Sequence, residues 1–280
     1  MITKADPTGQ SSNRRRTIRV LNARLENARK QSIREFKSIS ATKNTYKSIV
    51  NNAAFYDYEN VNIDKNIDYI INKNLDTPEA MPIDWYYKQE LEIPYRQGTV
   101  QELNNFNHLL EAAVIAGLFK GRIAPRPIEP VSVLFTDSYR VALEKQYTGA
   151  FNDIKSLSQT TSKQVKQVIN AGVAAGKSPT DISKEITERF NVSKANAERI
   201  AETEVNKAYT DAVMATTKAE GERTGLKTGV RHISALTGTT RAHHAARHGN
   251  VYTTMEQQAW WNEGVNRINC KCGVESVLIK

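Results

Sequence analysis

The sequence predicts an α+β protein, mostly helical, with a basic N-terminal helical arm, a helical middle, and C-terminal helices packed on a small antiparallel β-sheet. Three observations carry this expectation. Apolar residues recur at three- and four-residue steps through two long stretches, Ile18 to Ile39 and Tyr139 to Ala215. Between them lies a run of breakers, with three prolines from Arg122 to Pro130. Beyond Gly225 the period shortens towards two, and β-branched residues sit between glycine-bearing turns. The chain of 280 residues then divides into an arm over 1–50, an irregular and helical middle over 51–130 ending in the proline-rich linker, and a C-terminal domain over 131–280. Within that domain the helices fill 131–225 and the sheet 226–280.

In the arm, Ile18, Leu21, Leu25, Ala28, Ser32, Phe36 and Ile39 fall along one stripe of a helix, and arginines occupy the other faces. A helix cannot bury such a stripe alone, so the body or another protein chain must cover it. Nine basic residues, Arg14, Arg15, Arg16, Arg19, Arg24, Arg29, Lys30, Arg34 and Lys37, stand against Glu26 and Glu35. Most of the formal charge of +9 is therefore concentrated in one element. Such a concentration is the electrostatic footprint of a partner of nucleic acid or of an acidic surface, and also describes a solvated helix face. In the middle region, the apolar patch Ala112 to Phe119 reads as a core segment.

After the linker, Asp137 can cap a helix whose stripe is Tyr139, Leu143, Tyr147, Ala150, Ile154 and Leu157, continuing through Val165, Val168 and Ile169. The segment AAGKSPTDISKEI spells a stop and a start. Gly176 suits the C-terminal cap, Ser178 the N-cap, Pro179 the first helical position, and Asp181 the first turn. Ile182, Ile186 and Phe190 then face inward. A further helix is expected to start at Ser193 and to end at Gly221 or Gly225. Its stripe Ala197, Ile200, Ala201, Ala208, Ala212 and Ala215 is small-residued, and Glu204 falls on it. A carboxylate on a packed face needs a partner, and Arg241 is the candidate; the alternative places Glu204 at the edge, facing water. GVRHISAL, GNVYTT and CGVESVLI read as three short strands, with the histidine-rich RAHHAARHGN between the first two.

The opening MITKADPTGQSSN has no apolar core of a signal peptide, and no uncharged run approaches the roughly 20 residues of a membrane span. Two cysteines, separated by one residue, are too few for a disulfide scaffold. They read as reduced thiols in a protein made in the cytoplasm.

Three motifs recur in the C-terminal half: Arg199-Ile-Ala-Glu-Thr203-Glu204, Thr240-Arg241-x-x-His244 with Gly249 following, and Asn269-Cys270-Lys271-Cys272. In order and spacing they resemble the Mu F-like minor head proteins of tailed bacteriophages. The resemblance runs from about Phe151 to Lys280 and is most specific in the last eighty or so residues. Three positions depart from the family pattern: Glu202 and Lys271 stand where arginine is usual, and His248 where an acidic or polar residue is common. The resemblance implies a virion protein inside the capsid near the portal, without cofactor or turnover, contributing to head assembly and to genome packaging and ejection. Its implied partners are the portal protein, packaged double-stranded DNA, and a major capsid or scaffold protein. The basic arm fits this independently, because phosphate neutralisation by lysine and arginine needs no particular base sequence.

The histidines leave alternatives open. If Thr240 caps a short helix closed by Gly249, His244 and His248 share one face. With Cys270 and Cys272 they could then hold zinc. Otherwise the same residues form a polar cluster that fixes the sheet, with Arg241 on Glu204, His244 hydrogen-bonded and the cysteines buried as small apolar groups. A metal-dependent nuclease built on His243, His244 and His248, with Asn250 orienting the base, is a third reading, although no clustered carboxylates accompany it. A Cys270–His244 nucleophile and a protein-only adaptor using the Ile18 to Ile39 stripe complete the set.

Overall fold

The computed structural model describes residues 5–50, 53–59, 63–75 and 86–279. In chain order its elements begin with α1 (Ser11–Lys37), β1 (Ala41–Lys43), α2 (Thr45–Val50), β2 (Tyr56–Tyr58) and α3 (Asp64–Leu75). A π-helical turn, Tyr86–Leu91, leads into α4 (Glu92–Ile115), followed by α5 (Pro130–Val133), α6 (Asp137–Ala174) and α7 (Pro179–Thr224). The C-terminal part alternates: β3 (Thr228–Ile233), α8 (Ala242–Ala245), β4 (Val251–Tyr252), α9 (Thr254–Asn262) and β5 (Gly273–Leu278). The protein is α+β and mostly helical, as the periodicity requires.

The chain divides into two units by contact, and neither is a simple arm or tail. One draws on the described residues of Met1–Thr17, Trp85–Ala150 and Ala201–Lys280; the other on those of Ile18–Asp84 and Phe151–Ile200. The expected boundary at Arg122–Pro130 falls inside the first unit. Asn107 on α4 explains why: its side-chain amide donates to the Ile128 carbonyl at 2.9 Å and its Oδ1 accepts from the Ile128 N–H at 3.1 Å. The proline segment is thereby stapled to a helix. The residues 1–50 are also not a separate arm, since α1 contributes to both units.

In the second unit, the α1 stripe is internal. Leu21, Leu25, Ala28 and Ser32 are fully buried and Phe36 nearly so. Ile67, Ile71 and Leu75 of α3 bury alongside other core residues of this unit, including Ile182, Ile186 and Phe190. This removes the stripe as a docking face for another protein. β1 and β2 pair antiparallel, with Thr42 opposite Asp57. The turn between α6 and α7 follows its sequence signals: Gly176 takes φ +63°, and the Ser178 hydroxyl accepts from the Asp181 N–H at 3.1 Å. The expected restart at Ser193 does not occur. Its hydroxyl donates to the Arg189 carbonyl one turn back, at 3.1 Å, and pairs with Thr161 at 2.8 Å, so α7 runs on unbroken.

The first unit holds the sheet, ordered β4-β3-β5 and antiparallel throughout. Val230 lies opposite Ser276, and His232 opposite Val274. One core cluster gathers Tyr209, Val213 and Met214 of α7 with Val230, Trp261, Cys270, Cys272 and Val274. α4 lies close against α7 at Gly98, where an added Cβ would sit 2.5 Å from the Tyr209 carbonyl oxygen. The Ala112 to Phe119 patch is only half core: Ala113 and Phe119 are buried, whereas Ile115 is 88% exposed. No helix of the described residues is long and apolar enough to cross a membrane.

Candidate functional site

Thr203 of the first motif, His244 of the second and Asn269, Cys270 and Cys272 of the third come together at the end of the sheet in the first unit. β3 supplies His232, because period-two alternation puts it on the same inward face as Val230. The short helix α8 supplies His244. Asn269, with φ +53°, turns the chain so that Cys270 and Cys272 enter the same space before β5 begins. Helix α7 clamps this turn: Asn206 donates to the carbonyls of Cys270 and Cys272 at 2.9 and 3.0 Å, and Thr203 accepts from the Asn269 N–H at 2.9 Å.

Both cysteine sulfurs lie 3.5 Å from His244 Nδ1. Ligand atoms of His232, His244 and Cys272 all lie within 4.8 Å of one another, and all three residues are buried. His232 Nδ1 sits 3.3 Å from Gln257 Oε1, an oxygen that also accepts from Arg247 at 3.2 Å. Arginine can only donate, so that atom is the amide oxygen, and His232 must present its proton to it. His232 Nε2 is then a bare lone pair, buried and without a hydrogen-bond partner. Arg247 is itself held between the rings of Tyr252 and Trp260, 3.6 and 4.2 Å from their centroids. α9 carries Gln257 and Trp260, and its start is fixed by a reciprocal capping box between Thr253 and Glu256.

Electrostatics follow burial and proximity. Burial pushes the His232 pKa down to about 4, which keeps the ring neutral. A hydrogen bond from the Cys272 thiol, and the His244 ring beside it, bring Cys270 down to about 4 despite burial. That same bond, together with burial, drives Cys272 upwards. A cavity of about 240 Å³ opens beside the cluster, lined by Cys270, Cys272, His244, Asn269 and Arg241 among others.

Several expectations are revised here. Arg241 does not pair with Glu204. Its guanidinium donates to the carbonyls of Val265 (3.2 Å), Asn266 (3.4 Å) and Ile268 (2.6 Å) and lies 3.2 Å from His244 Nε2. The loop carrying those carbonyls wraps it, while Glu204, buried on α7, forms an ion pair with Lys207 at 3.7 Å. Thr240 does not cap α8; its hydroxyl accepts from the Thr237 N–H at 2.9 Å, closing a turn ahead of Arg241. His248 is exposed and its Nδ1 accepts from the Ser234 N–H at 3.1 Å, because α8 ends at Ala245 and no longer carries the face. His232 takes its place in the cluster. The period-two pattern of GVRHISAL already put His232 on the Val230 face, and that was the signal available. Gly249 adopts φ +80° and donates to the His232 carbonyl at 2.9 Å, so its role is the turn between β3 and β4. Arg199 is exposed and belongs to the second unit.

The basic residues of α1 also sort into two groups. Arg14 is buried, paired with Asp6 at 3.1 Å and Glu202 at 3.0 Å. Arg16 pairs with Glu90 at 3.2 Å, Arg24 donates to the Asn74 carbonyl at 3.0 Å, and Arg29 pairs with Glu26. Arg14 shares the buried stripe because it stands about five turns before Ser32. It is structural, against the expectation that all nine contact nucleic acid. Arg15, Arg19, Lys30, Arg34 and Lys37 are exposed. At 3.6 residues per turn these five fall within an arc of about 100°, nearly opposite the stripe of Leu21 and Leu25.

Residues 163–275 match the family model described as Phage Mu protein F like protein. This part of the chain is Mu F-like. The matched segment takes in all of α7 and the complete histidine and cysteine cluster, and the similarity is confined to that part of the chain. No curated protein and no solved structure matches the chain.

Proposed function

We propose that the chain is a minor head protein of a tailed phage, seated inside the capsid at the portal vertex. There it assists head assembly and genome packaging and ejection through portal contacts and non-specific contacts with double-stranded DNA. The observation that carries the DNA part is the single-faced array of Arg15, Arg19, Lys30, Arg34 and Lys37 on a helix whose other side is packed. A row of cations along a helix matches a polyanion of arbitrary sequence without reading its bases. Glu26 lies in the same arc, but its carboxylate is taken by Arg29 and by Lys194 at 2.9 Å. The Mu F-like segment supports the virion assignment, with the portal protein, and a major capsid or scaffold protein, as the remaining partners.

A nuclease has less support. Of its three histidines only His244 is buried; His243 is exposed with Nε2 on Asn266 at 3.1 Å, and His248 is turned to Ser234. They do not converge. The deciding experiment is quantitative detection of the chain in purified full heads, emptied heads and portal complexes released by mild disruption. Recovery with the portal protein from full heads is expected. A chain missing from particles, or present only on tails, would sink the proposal.

A further inference from the structure

We propose that His232, His244, Cys270 and Cys272 form a closed structural zinc site that fastens α8 and the Cys-x-Cys turn to β3. The argument is geometric. Zinc bonds to thiolate at about 2.3 Å and to imidazole at about 2.0–2.1 Å, so a tetrahedral ion sets a sulfur-to-nitrogen edge of about 3.6 Å. Cys270 Sγ and Cys272 Sγ each lie 3.5 Å from His244 Nδ1. A ligand atom of His232 lies within 4.8 Å of those of His244 and Cys272, so its ring must move inward to share a common ion with them.

The lone pair on His232 Nε2 is an independent pointer. A buried aromatic nitrogen with no donor facing it carries an uncompensated desolvation cost, and a cation removes that cost. Gln257 fixes the ring tautomer from the far side, as the outer partners of ligating histidines do. His244 fits on one condition. If Nδ1 binds the ion, Nε2 carries the proton, and Arg241 Nη1 cannot donate to it. That nitrogen already has the carbonyl of Val265 at 3.2 Å and that of Asn266 at 3.4 Å, so it loses one acceptor of three. Two thiolates and two imidazoles in tetrahedral array select zinc over the hard cations. Four protein ligands fill the tetrahedral shell and leave no coordination position for water, so the site is structural and supports no hydrolysis.

The rival use of these groups is a metal-free Cys270 thiolate beside a protonated His244 Nδ1. The two differ in measurable ways on the full chain. Zinc per chain, measured after gel filtration, is expected to be close to stoichiometric. Replacement by cobalt should give thiolate-to-cobalt charge-transfer absorption with tetrahedral ligand-field bands. Gln257→Ala, which touches no ligand atom, should weaken metal affinity about 10- to 100-fold, whereas His248→Ala should leave it unchanged. Folded wild-type protein that takes up neither zinc nor cobalt overturns the proposal. So does rapid alkylation of Cys270 in metal-saturated protein, or metal retained with the thiolate band intact in Cys272→Ser. None of these readouts depends on DNA or portal binding.

Discussion

Arg14 and Glu102 are ionisable side chains buried in the same unit, and their surroundings give them opposite behaviour. Arg14 sits between the carboxylates of Asp6 and Glu202, so truncating it strands charge in a low-dielectric place. Arg14→Ala should cost about 3 kcal/mol in urea unfolding and leave DNA affinity unchanged, which separates it from the exposed cations. Glu102 accepts from the Thr217 hydroxyl at 3.2 Å, and burial pushes its pKa up to about 7. Because the folded state holds this proton more tightly than the unfolded chain, the contribution is present below the ordinary glutamate pKa and lost as pH rises towards 7 and beyond. Denaturation midpoints should therefore fall between about pH 4.5 and 8, and Glu102→Gln should flatten the profile. An unchanged profile in the variant would refute this assignment. Arg14 was legible as a buried residue, since its phase on the helix matches Leu21, Ala28 and Ser32. Counting cations by composition hides that phase. Glu102 was not legible, because nothing local marks a glutamate whose environment comes from α7 and β5.

At the level of elements, close approach decides what the sequence could announce. Gly98 on α4 admits the backbone of α7, and its absent side chain would meet the Tyr209 carbonyl at 2.5 Å. A backbone atom cannot swing aside, so Gly98→Ala should destabilise by about 1–3 kcal/mol despite the better helix propensity of alanine. A neutral or stabilising result in thermal unfolding would show that α4 and α7 do not pack so closely. The ends of α6 and α7 were readable because Gly176, Ser178, Pro179 and Gly225 each satisfy a local backbone need. The strands were readable from their alternation. Ser193 misled because serine both caps and back-bonds, and only its Thr161 partner and the Arg189 carbonyl settle which. The prolines of Arg122 to Pro130 misled likewise: they mark extended backbone, and extended backbone joins domains or clasps a helix with equal ease. Asn107, far away in the chain, makes it a clasp.

For the whole molecule, the question is what a basic chain does with its charge. Four of the nine candidate cations of α1 are engaged within the protein, and five remain on one exposed face. From Arg15 to Lys37 that face extends about 33 Å at 1.5 Å per residue. Duplex DNA presents a phosphate charge about every 1.7 Å of its axis, so five phosphates lie within reach of a single docked helix. Each neutralised phosphate contributes about 0.9 to the slope of log affinity against log salt. Replacing Arg15, Arg19, Lys30, Arg34 and Lys37 together with glutamine should then lower the slope by about 4.5, while the packed side of α1 keeps the fold. Random and fixed sequences should bind alike, because no base is read. Charge reversal at Lys30, Arg34 and Lys37 alone should remove more than half of the effect, since these three share the C-terminal end of the helix. If the wild-type slope is already near zero, the row of cations faces an acidic protein surface instead, and the portal vertex becomes its partner by charge as well as by place.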